Sequence, residues 1–299
     1  MSVSKLHLGL GFLPTERAAV LHIDDLGMCH AANLGGFAAL EAGPATCGSV
    51  MVPCAWFPDA AARARANPKL DLGVHLTLNS EWPGYRWGPV AGAAKVPSLV
   101  DAQGYFWATQ AETVAHATAE DVEVEVQAQV DRALAAGIDV THLDSHMGTI
   151  FLRPDFIAAY LAAARAYRVP PFFPFPTEAL ARELGLEFRS VYGMAQTLEE
   201  QGLPLFDFFE GDSLSFGPGG GEAHNRKRLD GLPAGSSYVV CHAAADLPEL
   251  HAITPEAHCR VFEAAFYGGE AGRAAIRDGQ LKTLGMRRVR DYWRQRLSP

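Results

Sequence analysis

The sequence predicts an α/β fold in which parallel strands alternate with helices, arranged as a (β/α) barrel of the TIM type. Short apolar segments typical of buried strands alternate along the chain with longer segments that have helical spacing. Acidic residues and histidines follow several strand segments, and the carboxyl ends of parallel strands meet at one mouth of a barrel. The dense alternation favours a barrel over an open doubly wound sheet, with seven strands as one option.

The composition is that of a single large globular domain. The chain has 299 residues, of which 48% are hydrophobic and 20% charged, enough for a sizeable core. Neither a repeat of fixed period nor a Ser/Gly-rich linker divides it. We therefore expect one barrel domain over residues 1–299 with inserted loops.

The first half of the chain begins with strand and helix segments in alternation. The predicted strands are 20–23, 46–52 and 70–78, and the predicted helices are 31–42 and 58–66. Gly43 and Pro44 end the first of these helices.

The second half continues the alternation less regularly. The predicted helices are 119–136, 154–166, 177–184 and 255–266, the predicted strands are 140–143 and 237–241, and 170–176 is a short strand end. Helix 119–136 carries acidic residues in its first turn and stops at Gly137, which suits the helix dipole and a glycine cap.

Two long segments are predicted to be loops. Residues 80–118 form an aromatic-rich insertion with three tryptophans, and residues 216–225 contain four glycines between Gly217 and Gly221. Long loops with their own aromatic residues are often binding loops. Packing of the insertion against the barrel would explain its aromatic residues equally well.

The charge and cysteine content exclude several classes of protein. The net charge of -9 and the pI near 5.6 argue against nucleic acid or an anionic membrane as a partner. The sequence has neither an apolar run of membrane-spanning length nor a signal peptide pattern. Five cysteines without CxxC spacing indicate reduced thiols. We expect a cytoplasmic protein, with a homodimer left open.

Asp24 and Asp25 stand side by side directly after the first predicted strand. Two adjacent carboxylates at a strand end repel each other unless a cation or a shared proton is present. A helix cap or Asx turn would account for one of them, but not for both.

Histidines occupy the ends of three further strand segments. His75 lies in the segment 70–78, His142 and His146 flank Asp144, and His242 follows the strand 237–241. Imidazole and carboxylate ligands together suit a divalent transition ion, and two His with one Asp leave positions open for water and substrate. A hydrogen-bonded core histidine is an equally good interpretation of His75. We interpret His22, inside its strand, as structural.

The motifs at these positions resemble those of YdjC-like carbohydrate deacetylases, the ChbG/HpnK type, which are related to NodB-type polysaccharide deacetylases. The matching segments are Asp24-Asp25-Leu26-Gly27 with Asn33, Gly73-Val74-His75-Leu76-Thr77-Leu78, Thr141-His142-Leu143-Asp144-Ser145-His146, Val240-Cys241-His242, and the helix of residues 255–263 with Arg260. They occur in the order of the family and cover roughly residues 18–265.

The resemblance implies a barrel that hydrolyses the N-acetyl group of an amino sugar or short oligosaccharide. It implies that Asp25, His75 and His146 bind a divalent metal ion, Mg or Zn, that Asp24 is the general base, and that His242 is the general acid. Asp144 would orient a ligand histidine. Two positions depart from the family pattern, Gly148 and Ala243.

Two other functions remain compatible with the sequence. A metal-dependent phosphoesterase would use the same ligand types on a similar barrel, although few basic residues lie near the motifs and no GxxxxGK loop exists. A non-catalytic sugar-binding barrel would bind its ligand without turnover, but binding alone requires neither a base such as Asp24 nor an acid such as His242.

Overall fold

The computed structural model describes residues 3–183 and 187–297. Its strands are β1 (Arg17–Leu26), β2 (Cys47–Val50), β3 (Leu72–Leu76), β4 (Val140–Ser145), β5 (Phe208–Glu210), β6 (Gly235–Cys241) and β7 (Lys282–Thr283). Within the described ranges they pair in the order β4-β3-β2-β1-β6-β5, with β7 beside β1, and all these pairs are parallel. The result is an α/β fold whose parallel sheet forms a half-barrel.

Helices follow most of the strands. They are α1 (Lys5–Gly9), α2 (His30–Ala42), α3 (Phe57–Ala66), α4 (Gln110–His116), α5 (Ala119–Ala135), α6 (Pro154–Tyr167), α7 (Glu178–Glu183), α8 (Phe188–Glu200), α9 (Gly221–Asp230), α10 (Pro248–Ile253), α11 (Ala257–Gly268), α12 (Glu270–Asp278) and α13 (Met286–Arg294). None of the helices in the described part of the chain is both long and apolar enough to cross a membrane.

Strand β1 is the centre of the sheet, because it pairs with β2, β6 and β7. Its side chains alternate between two apolar clusters. Leu21 and Ile23 belong to the large cluster that includes the surrounding helices, whereas Ala18 and Val20 pack with Tyr238 and other residues of a smaller cluster. Burial on both faces explains why the segment is almost entirely apolar until it reaches His22.

Most predicted elements are confirmed, with changes of a few residues at their ends. The predicted strand 20–23 is longer in the structure, at Arg17–Leu26, whereas the predicted strand 70–78 is shorter and pairs only over Leu72–Leu76. The Gln129 side chain of α5 accepts a hydrogen bond from the Thr77 N–H and donates one to the Thr77 carbonyl. These bonds replace those of a neighbouring strand and end β3.

Three predicted segments turn out differently or in part. Residues 170–176 form isolated parallel bridges instead of a strand, with Pro171 opposite Leu143 and Pro174 opposite Phe206. The predicted glycine-rich loop 216–225 ends inside α9, which begins at Gly221. The predicted helix 177–184 is α7, and its last residue, Leu184, lies outside the described residues.

The aromatic-rich insertion 80–118 is folded against the rest of the chain. It contains a 3₁₀ turn at Pro97–Leu99 and helix α4. Trp87 and Phe106 are buried, and the Glu125 carboxylate of α5 accepts the backbone N–H groups of Val90 and Ala91. Packing of the insertion against the rest of the chain therefore accounts for several of its aromatic residues. Trp82 is different, because it lines the cavity described below.

Candidate active site

A cavity of about 740 Å³ opens at the carboxyl ends of the strands. All five residues singled out from the sequence line it, namely Asp24, Asp25, His75, His146 and His242. They come from the ends of β1, β3, β4 and β6, which is the arrangement expected of parallel strands that share one mouth.

Asp25, His75 and His146 bring three potential ligand atoms together. Asp25 Oδ1 lies 3.5 Å from His75 Nε2 and 3.4 Å from His146 Nδ1. The two histidine nitrogens are 3.3 Å apart. All three side chains are buried, so the atoms form a small triangle that is shielded from bulk water.

One carboxylate oxygen of Asp25 has no hydrogen-bond partner among the described residues. Arg260 Nη1 donates to Oδ2 at 2.7 Å, while Oδ1 is buried and makes no hydrogen bond within the described residues. Burial by itself would raise the pKa of the Asp25 carboxyl, but the Arg260 guanidinium and the two imidazoles hold that pKa well below its usual range. Asp25 is therefore an ionised carboxylate with one oxygen aimed at the histidines.

The triangle fits a small divalent cation. Ligand atoms about 2.0–2.1 Å from a tetrahedrally coordinated zinc ion lie roughly 3.4 Å apart, which matches the separations found here. Asp25 Oδ1 is a buried polar atom without a hydrogen-bond partner in the described part of the chain, and a cation would satisfy it. Donor types, distances and burial thus all agree with a metal site.

Carboxylates behind the two histidines hold their rings in place. His75 Nδ1 donates to Asp144 Oδ1 at 2.9 Å, and His146 Nε2 donates to Glu81 Oε1 at 3.0 Å. Each ring therefore turns its other nitrogen towards Asp25, as ligating histidines do. Asp144 therefore lies behind His75, where it would orient that ring.

The same carboxylates raise the histidine pKa values. Burial opposes protonation, but Asp144 and Asp24 raise the pKa of His75 well above its usual range. Glu81 and Asp25 overcome burial in the same way and raise the pKa of His146 to about 9. The surplus of negative charge that favours these protons also favours a bound cation.

Asp24 lies beside the triangle and remains partly accessible. His22 Nδ1 donates to Asp24 Oδ1 at 2.5 Å. The other oxygen, Oδ2, lies 3.8 Å from both His75 Nε2 and His242 Nε2. Asp24 therefore turns a free carboxylate oxygen into the space between these two histidines.

His242 is held from behind by a chain of hydrogen bonds. The Ser213 hydroxyl donates to Glu263 Oε2 at 2.6 Å, so it accepts the bond from His242 Nδ1 at 2.9 Å. Glu263 also accepts the His242 backbone N–H at 2.6 Å and pairs with Arg228 at 3.0 Å. This chain directs Nε2 of His242 into the cavity. Burial lowers the pKa of His242 to about 4, so the ring is neutral near pH 7.

A second group of potential ligands lies deeper, at His22, Cys47 and His142. Thr141 donates to Asp71, so it accepts from His142 Nδ1, and His142 Nε2 lies 2.8 Å from His22 Nε2. The nitrogens of both rings are thus already hydrogen-bonded, and burial lowers the pKa of His142 to about 3. These bonds, together with the position of the group away from the cavity, favour a structural role, as the sequence suggested for His22.

Comparison with known proteins connects this geometry to a family. The model of the family described as "YdjC-like protein" matches residues 18–295, which is nearly the whole chain. The chain belongs to the YdjC-like family. The resemblance inferred from the motifs is thereby confirmed.

Curated relatives of this YdjC-like protein carry consistent names. A carbohydrate deacetylase of Thermus thermophilus is 38% identical over 253 residues, covering 82% of this chain and 83% of the relative. A chitooligosaccharide deacetylase of Yersinia enterocolitica is 28% identical over 134 residues, covering 44% of this chain and 49% of the relative. These names agree with the enzyme class that the motifs predict.

A solved structure supports the fold of this YdjC-like protein. The crystal structure of a candidate cellobiose-phosphate cleavage protein from Enterococcus faecalis matches with a TM-score of 0.74 at 22% sequence identity. The match covers 92% of this chain and 99% of the other chain. At this level of identity the likeness establishes the architecture alone.

Several residues that shape the site of this YdjC-like protein were not predicted from its sequence. Glu81 lies in the insertion, Ser213 and Arg228 lie in segments without motifs, and Glu263 lies on α11, where only Arg260 was noted. A sequence signal existed for Glu263 alone, because an acidic residue on an otherwise amphipathic helix needs a partner when it is buried.

Proposed function

We propose that this protein is a metal-dependent carbohydrate deacetylase that hydrolyses the N-acetyl group of an amino sugar or short oligosaccharide. The observation that supports the proposal best is the convergence of Asp25 Oδ1, His75 Nε2 and His146 Nδ1 to within 3.5 Å of one another, with Asp24 and His242 beside them. Amide hydrolysis requires an activated water, a polarised carbonyl and a proton donor for the amine, and this arrangement offers a group for each task.

Asp25, His75 and His146 are the proposed metal ligands. Two imidazoles and one carboxylate favour zinc or a similar transition ion over magnesium, which prefers oxygen ligands. A bound divalent ion would lower the pKa of a water molecule and polarise the acetyl carbonyl.

Asp24 is the proposed general base. Its Oδ2 faces the cavity, while its Oδ1 is held by His22, so the carboxylate is oriented before substrate arrives. It would accept the proton of the attacking water as the oxygen–carbon bond forms.

His242 is the proposed proton donor to the departing amine. Its Nδ1 is committed to Ser213, which leaves Nε2 for the reaction, and Nε2 is 3.8 Å from Asp24 Oδ2. Because the ring is neutral near pH 7, we propose that His242 receives at Nε2 the proton that Asp24 took from water, and passes it to the nitrogen as the carbon–nitrogen bond breaks. One proton thus moves from water to amine, and acetate and free amine are the products.

The cavity gives less support to the phosphoesterase alternative. Among its described lining residues Arg260 is the only Arg or Lys, and its Nη1 is already bound to Asp25. Phosphate recognition ordinarily uses unpaired cationic groups or clustered backbone N–H groups.

The expected single domain, cytoplasmic location and homodimer stay predictions.

Product analysis tests the proposed function. The purified protein would be loaded with Zn²⁺ or Mg²⁺ and incubated with N,N′-diacetylchitobiose, and acetate and free amine would be measured. We expect equal amounts of acetate and amine, with Zn²⁺ more effective. Phosphate release from 4-nitrophenyl phosphate without any acetate release would favour the phosphoesterase, and binding without either product would favour a sugar-binding barrel.

We also propose that the half-barrel closes into a ring of seven strands. The Phe172 N–H donates to the Leu143 carbonyl of β4, and the Phe206 N–H donates to the Phe173 carbonyl just before β5. These contacts support a link from β4 through residues 170–176 to β5 and β6. Slow hydrogen exchange at the Phe172 and Phe206 amides would support closure, and exchange at loop rates would contradict it.

A further inference from the structure

A row of buried polar side chains leads from Asp24 to the opposite end of the sheet. Its members are His22 on β1, His142 and Thr141 on β4, and Asp71 directly before β3. Asp24 lies near the carboxyl end of its strand, whereas Asp71 lies at the amino end of the strand it precedes. The row therefore crosses the sheet from the cavity to its far end, and we call it the polar row.

The far end of the polar row is anchored on the backbone of α13. Asp71 Oδ2 accepts the Arg287 N–H at 2.7 Å, and this N–H is one of those in the first turn of a helix that lack a partner within it. Gly285, which precedes α13, leaves space for the carboxylate, because a Cβ atom there would overlap Asp71 Oδ2. The other oxygen, Oδ1, accepts the Thr141 hydroxyl at 2.5 Å. The backbone thus fixes Asp71, and Asp71 fixes the hydroxyl.

The Thr141 hydroxyl in turn orders the two histidine rings. Its single hydrogen is donated to Asp71, so it accepts from His142 Nδ1, which lies 2.9 Å away. His142 Nε2 is 2.8 Å from His22 Nε2, and His22 Nδ1 donates to Asp24 Oδ1 at 2.5 Å. Each contact holds one nitrogen of a ring and leaves the other nitrogen for the next contact. The orientation of Asp24 is therefore linked to Asp71 through four successive contacts.

The polar row passes through an apolar part of the core. His22 lies on the same side of β1 as Val20, and its ring stacks on Tyr238 with 4.9 Å between the ring centroids. The side chains of His22, His142 and Thr141 are fully buried. Buried polar groups cost stability unless they are paired, and apolar side chains would fill the same volume without that cost. A fully paired network of this kind contributes a unique orientation of its members.

We propose that Thr141 and Asp71 are positioning residues for the base, because the polar row holds Asp24 Oδ1 from behind and so keeps Asp24 Oδ2 directed at the attacking water. The inference rests on the proposed deacetylase function. Neither Thr141 nor Asp71 is among the described residues that line the cavity, so both act through the histidines. Small errors in the position of a reacting group lower the rate of the chemical step. Loss of the row should therefore lower kcat while KM and metal content stay unchanged.

Removal of the Thr141 hydroxyl tests the proposal on the metal-loaded protein. Thr141→Val keeps the shape of the side chain, and we expect kcat for N,N′-diacetylchitobiose to fall about 10-fold with KM and bound zinc unchanged. Thr141→Ser restores the hydroxyl and should restore most of the lost rate. Thr113→Val is the matched control, because Thr113 is also fully buried and its hydroxyl contacts backbone carbonyl groups outside the row. An unchanged kcat in Thr141→Val, or an equal loss in Thr113→Val, would overturn the proposal.

A second substitution distinguishes positioning from general damage to the core. His22→Asn places an amide nitrogen where Nδ1 lies, so Asp24 keeps its donor, but the shorter side chain no longer reaches His142. Because the row is then interrupted at His22, Thr141→Val should lower kcat much less in the His22→Asn background than in the parent protein. Equal fold losses in the two backgrounds would contradict the proposal.

Nitrogen-15 NMR of the imidazole rings tests the polar row in the unsubstituted protein, whether or not the variants fold. The row requires the His142 ring to carry its hydrogen on Nδ1, facing the Thr141 hydroxyl. A His142 ring with its hydrogen on Nε2 and none on Nδ1 would overturn the proposal. Absence of acetate from the parent protein, with the hydrogen on Nδ1, would instead reject the proposed function.

Discussion

The carboxylates of Asp24 and Asp25 face the same cavity although the two residues are adjacent on β1. Side chains of neighbouring strand residues normally point to opposite faces. Asp25 escapes this rule because its backbone is left-handed, with φ at +63°, and the register of β1 against β2 shifts between Ile23 and Leu26. Gly27, with φ at +86°, continues the turn. The proposed division of roles, with Asp25 as a metal ligand and Asp24 as the base, requires such a bend.

The Asp24→Asn variant separates these two roles. The amide keeps the shape of the side chain but cannot accept the proton of water, so we expect deacetylation to fall about 100-fold or more. Metal content should stay at the level of the parent protein, because Asp24 is outside the ligand triangle. Acetate release and metal analysis of the same sample provide the check, and normal turnover would refute the base assignment.

The His75→Ala variant should lose both metal and activity. Removing His75 leaves two of the three ligand atoms and deprives Asp144 of its partner. Chelation of the parent protein should abolish activity, and addition of Zn²⁺ should restore it, whereas added Zn²⁺ should not rescue the variant. Full activity in the chelated parent protein would rule out the metal mechanism.

Ser213 is predicted to position His242 without touching the metal. Loss of its hydroxyl in Ser213→Ala frees the imidazole, so amide hydrolysis should fall about 10-fold or more. Hydrolysis of 4-nitrophenyl acetate should fall much less, since its leaving group needs no proton. The exposed Ser215 gives the control variant Ser215→Ala, which should leave both rates unchanged. Equal losses for amide and ester would indicate a general defect of the site.

Arg260 neutralises the buried charge of Asp25. Arg260→Met should destabilise the metal-free protein by about 3–5 kcal/mol, because it leaves a buried carboxylate without its cation. Added Zn²⁺ should raise the melting temperature of the variant more than that of the parent protein. Arg273→Met, which breaks an exposed pair with Glu270, should cost no more than about 1 kcal/mol. Similar melting curves for the two variants would contradict this assignment.

Gly73 leaves space for the ring of His142. His142 contacts His22, and His22 in turn holds the carboxylate of Asp24. A Cβ atom at Gly73 would lie 2.6 Å from the His142 ring. We expect Gly73→Ala to destabilise the protein by about 1–3 kcal/mol and to lower activity, because His142 and His22 must shift. Gly84→Ala, where no atom of the described residues lies within 4 Å of the new methyl group, is the control in thermal unfolding. If the Gly73→Ala variant were as stable as this control, the residues around the His142 ring would have adapted to the new methyl group, and the prediction would be wrong.

Local patterns were enough to predict most of the alternating elements and five of the residues that line the cavity. Strand 20–23 and helix 31–42 were predicted within a few residues, because a run of apolar residues and helical spacing can both be recognised in the local sequence. Segments β5 and β7 were not predicted, because two or three residues carry no period and become strands only beside β6 and β1.

The sequence by itself determined which chemical groups this protein possesses, namely two adjacent carboxylates and three histidines at strand ends, together with its family. Tertiary structure alone decided how these groups are held. The contacts of Glu81 with His146 and of Ser213 with His242 join residues that are distant in sequence, and the turn at Asp25 coincides with the register shift between β1 and β2. Such contacts depend on the packing of the complete chain, which no local pattern encodes.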